Sequence, residues 1–317
     1  MAQIINLADL KDNYFEKSKN ILVIGFFDGI HKGHQSIIKK CIRRAKIVNG
    51  LSIVLTFDIP PVNLISGQKT KKLIMPFEEK IRMINNMGVD YIISVNFNRE
   101  FANLSKIDFC RKIILEKINA GEVFIGENFR FGKSAEGDFL FLKNFLKENG
   151  RIAHAVKLLK INNIVISSTI IRDFYDSGNI DKIRLFLGRY PSIEGTVQKG
   201  LLRGAELGFP TANIEVDDSY IIPKNGVYIG KIKIQNSNKF LPSIINIGNN
   251  PTFGYRKTLV EAHILNFKNN IYSKKITIIF LKYLRDERRF NLIHDLVNQI
   301  NEDIKSSVNF FKSQKKS

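Results

Sequence analysis

The 317-residue sequence has only two cysteines, Cys41 and Cys110. Two cysteines cannot build a disulfide framework, and no cysteine pair has zinc-ligand spacing. Long apolar runs are also missing. The longest, such as Ile21–Ile24 and Ile276–Leu281, fall far short of the roughly 18 residues that span a bilayer. The opening segment, MAQIINLADLKDNYFEK, has neither the basic start nor the apolar centre of a signal peptide. Internal repeats and low-complexity blocks are absent. These absences predict a soluble, cytoplasmic protein with no membrane partner.

Acidic side chains are scarce too. There are 30 Asp and Glu against 49 Lys and Arg, a net charge of +19. Such an excess raises nucleic acid as a partner. Its distribution argues otherwise. Residues 1–186 carry 29 basic and 19 acidic side chains, and residues 187–317 carry 20 and 11. The densest clusters are small: Lys39-Lys40 with Arg43-Arg44, Lys69 with Lys71-Lys72, and Arg288-Arg289. An even background of this kind speaks to solubility and non-specific binding. It also suits anionic small substrates such as nucleotides, and it predicts no specific nucleic-acid partner.

What is present is a chain able to fold. Hydrophobic residues make up 44%, with 24 Phe, enough for real cores. The length suits two domains. The first part alternates short branched-aliphatic runs with helical patterns. Strands are predicted at Asn20–Gly25, Leu51–Phe57, Asp90–Val95 and Glu122–Ile125. Between them fall helices with Ile37, Ile38, Cys41, Ile42 and Ala45 on one stripe, then Glu78–Met87 closed by Gly88, then Asp108–Glu116 capped by Ser105. A further helix is expected over Phe139–Glu148. The outer face of the first helix is expected to carry Lys39, Lys40, Arg43, Arg44 and Lys46. This alternation implies a parallel sheet with helices on both faces, whose ligands sit at the carboxyl ends of the strands. After Arg189-Tyr190-Pro191 the pattern changes. Short strands are predicted at Ile193–Gln198, Val227–Ile234, Leu241–Ile247, Leu259–Ile264 and Lys275–Tyr283, with turn residues between them. They suggest an antiparallel sheet or barrel. A terminal helix carries Leu292, Leu296, Ile300 and Ile304. The expected domains are 1–186 and 187–317.

Two constellations carry chemistry. The first follows the first strand: Gly25-Phe26-Phe27-Asp28-Gly29-Ile30-His31-Lys32-Gly33-His34. Glycines let backbone approach an anion, and the helix start supplies free N–H groups and a positive dipole end. His31 and His34, at i and i+3, can donate hydrogen bonds to phosphate oxygens as charge builds. A metal site is the other reading of paired histidines, but no third ligand stands nearby. The second constellation runs from Gly195-Thr196-Val197-Gln198-Lys199-Gly200 to Leu207-Gly208-Phe209-Pro210-Thr211-Ala212-Asn213. It is not a Walker A loop, because no GK[ST] follows.

The run Gly25–His34 resembles the HxGH signature of nucleotidyltransferases. More particularly, it resembles the N-terminal half of the bacterial bifunctional riboflavin kinase/FAD synthetases. Further matches follow in that family's order. Gly126-Glu127-Asn128-Phe129-Arg130-Phe131-Gly132-Lys133, with Gly137-Asp138, resembles its flavin- and nucleotide-facing loop. Ile166-Ser167-Ser168-Thr169-Ile170-Ile171-Arg172 resembles its ISSTxIR motif. Phe209–Asn213 resembles the PTAN motif of riboflavin kinases, Asn225–Tyr228 the GVY strand, and Ile247–Gly254 the IGxxPTF loop. Val260-Glu261-Ala262-His263 resembles the VExH strand. Leu284–Phe290 resembles the flavin flap.

The resemblance implies a Rossmann-like α/β nucleotidyltransferase domain followed by an antiparallel β-barrel with a terminal helix. It implies two reactions. The barrel phosphorylates riboflavin with ATP to FMN, and the first domain transfers AMP from ATP to FMN, giving FAD and pyrophosphate. His31, His34, Arg172 and Glu261 are the implied catalytic residues, with Glu261 as general base. Gly25, Phe27, Asp28, Gly29, Gly33, Ser167, Ser168, Thr169, Gly195, Gly200 and Gly208 would face ATP phosphates. Asn128, Phe129, Arg130, Arg285 and Phe290 would face flavin, and Phe129 and Phe131 equally suit a core. Thr211 and Asn213 would hold Mg²⁺. A monomer or transient oligomer is expected.

Two departures fall in the first half. The family's Thr-Phe-x-Pro-His-Pro segment is here Thr56-Phe57-Asp58-Ile59-Pro60-Pro61, without the histidine. A usually basic position in ISSTxIR is Ile170. Two other readings remain: a nucleic-acid-binding protein, and a nucleotidyltransferase acting on another phosphorylated small molecule. The PTAN and VExH segments speak against the latter.

Overall fold

The computed structural model describes residues 1–12, 14–15, 19–60, 71–199, 207–249 and 258–314. The chain forms two compact units, Met1–Ser168 and Thr169–Ser317.

The first unit is built on six parallel strands: β1 (Gln3–Asn6), β2 (Asn20–Ile24), β3 (Ser52–Phe57), β4 (Tyr91–Val95), β5 (Ala120–Gly126) and β6 (Ile152–Val156), in spatial order β1-β4-β3-β2-β5-β6. β2 is buried along its whole length, as a central parallel strand of branched aliphatics must be. Alternate residues feed two cores. Leu22 and Ile24 pack with Phe109, Ile113, Leu142 and Leu146 on one face. Ile21 and Val23 pack with Ile37, Ile38, Cys41, Ala45, Ile81 and Ile84 on the other. The second set lies on α1 (Lys32–Val48) and α2 (Phe77–Asn85). The first comes from a π-helical segment, Phe109–Lys117, and from α3 (Phe139–Glu148). Ser105 caps its helix start as expected, its Oγ accepting from Asp108 N at 3.0 Å.

The four expected strands are present, and both outer strands are additions. β1 is exposed along half its length and carries no apolar block. β6 is interrupted by His154 and partly exposed. One surface assignment changes. Arg44 is not a free outer cation, because its Nε and Nη2 grip both oxygens of Glu122 at 2.6–2.9 Å. A short hairpin, β7 (Lys160–Ile161) and β8 (Ile164–Val165), turns through Asn162 and Asn163, both at positive φ. It leads to α4 (Ser168–Asp176).

The second unit is a closed barrel of β9 (Ser192–Gln198), β10 (Ala212–Glu215), β11 (Gly226–Ile234), β12 (Phe240–Asn249), β13 (Thr258–Ile264) and β14 (Lys275–Arg285), in order β10-β13-β12-β11-β14-β9. Closure removes exposed sheet edges. β10 was not anticipated. It is four residues long and buries only Ile214. Gly195 makes its pairing with β9 possible, since a Cβ there would stand 2.6 Å from the Glu215 carbonyl oxygen. The helix α5 (Ile180–Leu187) packs on β14, and α6 (Ile293–Gln314) packs on β12.

Candidate active sites

The connection β2→β3 runs to one side of the first sheet and β5→β6 to the other. The carboxyl ends of β2 and β5 therefore flank the switch point where doubly wound sheets bind ligands. The loops Gly25–His34 and Gly126–Lys133 both start there.

β2 ends at Ile24, and the chain leaves the sheet abruptly. Gly25 N still donates to Leu55 O at 3.1 Å. Phe27 then folds back so closely that a Cβ on Gly25 would lie 2.7 Å from its ring. Phe27, Gly29 and Ile30 all have positive φ, at 56°, 77° and 39°. For a β-branched residue this is a strained conformation, and the surroundings hold it. Asp28 Oδ1 accepts from Ile74 N at 3.0 Å. Ser168 Oγ donates to Asp28 O at 3.1 Å, and Gln35 Nε2 donates to Ile30 O at 2.9 Å. The tightened turn delivers His31 to the N-cap of α1, where its Nδ1 accepts from His34 N at 3.2 Å. A neutral His31 ring then carries its proton on Nε2.

His31 and His34 stack at 3.5 Å between centroids, with Gly33 leaving 3.1 Å between a would-be Cβ and the His31 ring. Phe27 meets His34 edge-on at 5.2 Å. Burial, with lesser pushes from His31 and Lys80, holds the His34 pKa well below its usual value. His34 is thus a neutral hydrogen-bonding group at pH 7 and not a cation. Its Nδ1 is buried without a hydrogen-bond partner. Of the ISSTxIR residues, Ser167 and Ser168 stand at the start of α4, while Thr169 and Arg172 follow on that helix.

In the β5 loop, Asn128 and Arg130 are exposed. Arg130 pairs with Asp138 at 3.2 Å. Phe131 is core, paired through its backbone with Gly137. Phe129 is half-buried against the same core and stacks on Phe131 at 6.1 Å.

In the barrel, Val260, Ala262 and Ile264 are buried and alternate with half-buried Glu261 and His263. β13 lies between β10 and β12, so Glu261 is registered against Asn213 on one side and Asn246 on the other. Burial raises the Glu261 carboxyl pKa, a hydrogen bond with Asn246 pulls it down, and the charge of Glu287 raises it further. The Glu287 carboxylate sits against Gly248, where a Cβ would be 2.0 Å from its Oε1. His263 Nδ1 lies 2.9 Å from Pro210 O, tying the segment before Thr211 to the Glu261 strand. Gly208 has φ 85° in open space. Arg285 forks onto buried Asp303 at 2.7 and 3.0 Å, and Phe290 is half-buried. Gly200 and 250–254 lie outside the described residues.

The FAD synthetase family matches residues 15–170, and the riboflavin kinase family matches 187–311. A Buchnera aphidicola protein named bifunctional riboflavin kinase/FMN adenylyltransferase is 34% identical over 93% of this chain and 95% of its own. A Bacillus subtilis protein of the same name is 32% identical over 95% of each. The chain belongs to the bifunctional riboflavin kinase/FMN adenylyltransferase family. A Streptococcus pneumoniae crystal structure, described as a macrolide-efflux protein, is 27% identical. It covers 96% of this chain and 99% of that one with a TM-score of 0.86. Among the described residues here, no helix is long and apolar enough to cross a membrane.

Where the family's histidine segment departs, Asp58 turns the chain, its Oδ1 accepting from Ile59 N and Phe97 N at 2.7 and 2.9 Å. Pro61 lies outside the described residues. Three site neighbours escaped sequence reading: Lys80, Asn246 and Glu287. Each left a trace. Lys80 adjoins buried Ile81 and Ile84 on one helix face. Asn246 is a lone amide in the apolar run Leu241–Ile247, and Glu287 is one carboxylate among flap arginines.

Proposed function

We propose that the two constellations divide the family's two reactions between residues 1–186 and 187–317. ATP is the co-substrate of both. In the barrel, Glu261 accepts the proton of the riboflavin ribityl hydroxyl as its oxygen attacks the γ-phosphorus, and ADP leaves. In the first domain an FMN phosphate oxygen attacks the α-phosphorus of ATP and pyrophosphate departs. His31 and His34 donate hydrogen bonds to the phosphoryl oxygens, and Arg172 offsets charge. Gly25, Phe27, Asp28, Gly29 and Gly33 shape the phosphate cradle, with Ser167, Ser168 and Thr169 at its rim. Asn128, Phe129 and Arg130 face flavin in this domain, Arg285 and Phe290 in the barrel. Gly195 and Gly208 line the kinase phosphate path.

The same reading assigns Mg²⁺ to the barrel. Thr211 and Asn213 offer hard oxygen donors, and Asn213 is registered against Glu261. No cluster of three His, Cys, Asp or Glu that could hold a metal occurs among the described residues. Few protein ligands, with phosphates and waters completing the shell, suit Mg²⁺. When bound, the ion neutralises charge on the transferring phosphates. The reading also makes the chain a soluble cytoplasmic enzyme, monomeric or transiently oligomeric, without a specific nucleic-acid partner.

The observation that carries this division is the placing of Glu261, half-buried with a raised pKa between two asparagines. Chromatography of the products from riboflavin, ATP and Mg²⁺ tests it. FMN and FAD are expected from the intact chain. FMN alone, or neither, refutes the two-reaction assignment.

A further inference from the structure

Lys80 is a buried charge that neither reaction above uses. It is 3% exposed. Its Nζ donates to Phe57 O at 2.6 Å and to Phe26 O at 3.0 Å. These carbonyls lie at the carboxyl ends of neighbouring strands β3 and β2. The ladder between those strands runs out at Ile24 and Leu55, with one more bond from Gly25 N. Beyond that point Lys80 takes over the pairing, together with Thr56 Oγ1, which donates to Phe26 O at 3.1 Å. The ammonium also lies over the Phe26 ring at 4.3 Å and near the Phe77 ring at 5.1 Å. The next residue, Phe27, begins the left-handed turn that delivers His31 and His34.

We propose that Lys80 is a positioning residue for adenylyl transfer. It clamps the base of the Phe26–His31 turn and, in its protonated form, places positive charge behind the phosphate cradle. The inference rests on the reading of Gly25–His34 as the adenylyl-transfer site. A neutral donor could satisfy two carbonyls at lower desolvation cost. A buried cation gains its advantage where negative charge develops nearby. Burial lowers the Lys80 pKa to about 7, against the opposing pull of Asp28 and Asp58. Its charge in turn helps to keep His34 unprotonated.

Three full-length variants test this at neutral pH, with thermal melting as the fold control. Lys80→Gln keeps amide donors without charge, Lys80→Met removes both, and Lys80→Arg keeps both. Gln and Met are expected to lower kcat for FAD formation from FMN by about tenfold or more. KM for ATP and FMN should stay within about threefold. Arg should recover most of the rate, and riboflavin phosphorylation should be unchanged in all three. Wild-type kcat in either neutral variant overturns the proposal. So does a rate loss fully matched by loss of folded protein. His31→Ala, run beside them, separates the two ideas. If it retains FAD formation, the site reading has failed; if it loses FAD formation while the neutral variants keep it, only the role of Lys80 has.

Discussion

The two sites solve opposite electrostatic problems with opposite architecture. The first is a loop forced out of a parallel sheet, with three of the four residues Phe27–Ile30 at positive φ, a histidine cap and a buried ammonium beneath. Asp28, the carboxylate of that turn, has an oxygen engaged with Ile74 N. The second sits on the face of a barrel strand and is acidic, with Glu261 near Glu287 and the pKa of each raised first by burial. On the proposed assignment, the difference follows from the nucleophiles. An FMN phosphate is already ionised at neutral pH, since its second pKa is near about 6. It needs its charge accommodated and no base. A ribityl hydroxyl needs a base, and a half-buried carboxylate with an upward-shifted pKa is one.

The largest expected effect breaks this contrast or confirms it. His31→Ala should cut FAD formation by about a hundredfold or more and leave FMN formation intact. Glu261→Gln should cut FMN formation by about 10²–10⁴ and leave FAD formation from supplied FMN intact. A single change that abolishes both reactions in folded protein contradicts the division. The pH profiles sharpen it. As the proposed base Glu261 would act only when ionised, so FMN formation should fall as pH drops through its raised pKa. Glu287→Gln removes a like charge, and the acid limb of FMN formation should move to lower pH. The FAD profile should not move.

The first sheet was readable because central parallel strands are short, apolar and continuous, as in Asn20–Ile24. Its edges were not, because β1 and β6 bury only part of one face. The barrel was readable except for β10, whose pairing depends on the absent Cβ of Gly195 and not on an apolar run. Site motifs were legible as resemblance, and the His31–Gly33–His34 spacing also as a helix start. The supporting residues were not. Lys80 looks like helix decoration until the sheet places two carbonyls beside it. Arg285 reads as a flavin contact in the motif, yet its guanidinium is also the barrel's tie to Asp303.

Next in size are two stability effects, one per unit. Arg285→Met leaves Asp303 buried without its ion-pair partner, with a hydrogen bond from Gln299 at 3.2 Å remaining, and should cost about 3 kcal/mol in the barrel unit. Urea unfolding followed by probes in each unit would read it. Loss of riboflavin affinity with no loss of stability would show instead that the arginine serves only the flavin. Gly25→Ala places a Cβ against the Phe27 ring. It should cost about 2 kcal/mol and depress FAD formation alone, which steady-state assays of both reactions would show. Equal loss of both reactions would mean that the turn is not specific to adenylyl transfer.

The smallest effect asks whether the first unit's stability, as well as its chemistry, is electrostatic. Burial alone would raise the Glu122 pKa, but hydrogen bonds from Arg44 and His154 outweigh it and hold the carboxyl below its usual value. The fork to Arg44 reaches 2.6 Å, and His154 Nε2 lies 2.7 Å from Oε2. A depressed folded-state pKa contributes stability that is present above the unfolded carboxylate pKa and is lost as pH falls through the folded one. Glu122→Gln should therefore lower the melting temperature of the first unit near neutral pH, by the equivalent of about 1 kcal/mol for a pair with one exposed partner. The gap to the native chain should close as pH drops into the acid range. The barrel transition should not respond. A gap that stays constant with pH would mean that Glu122 contributes through packing and shape, with no net contribution from its charge.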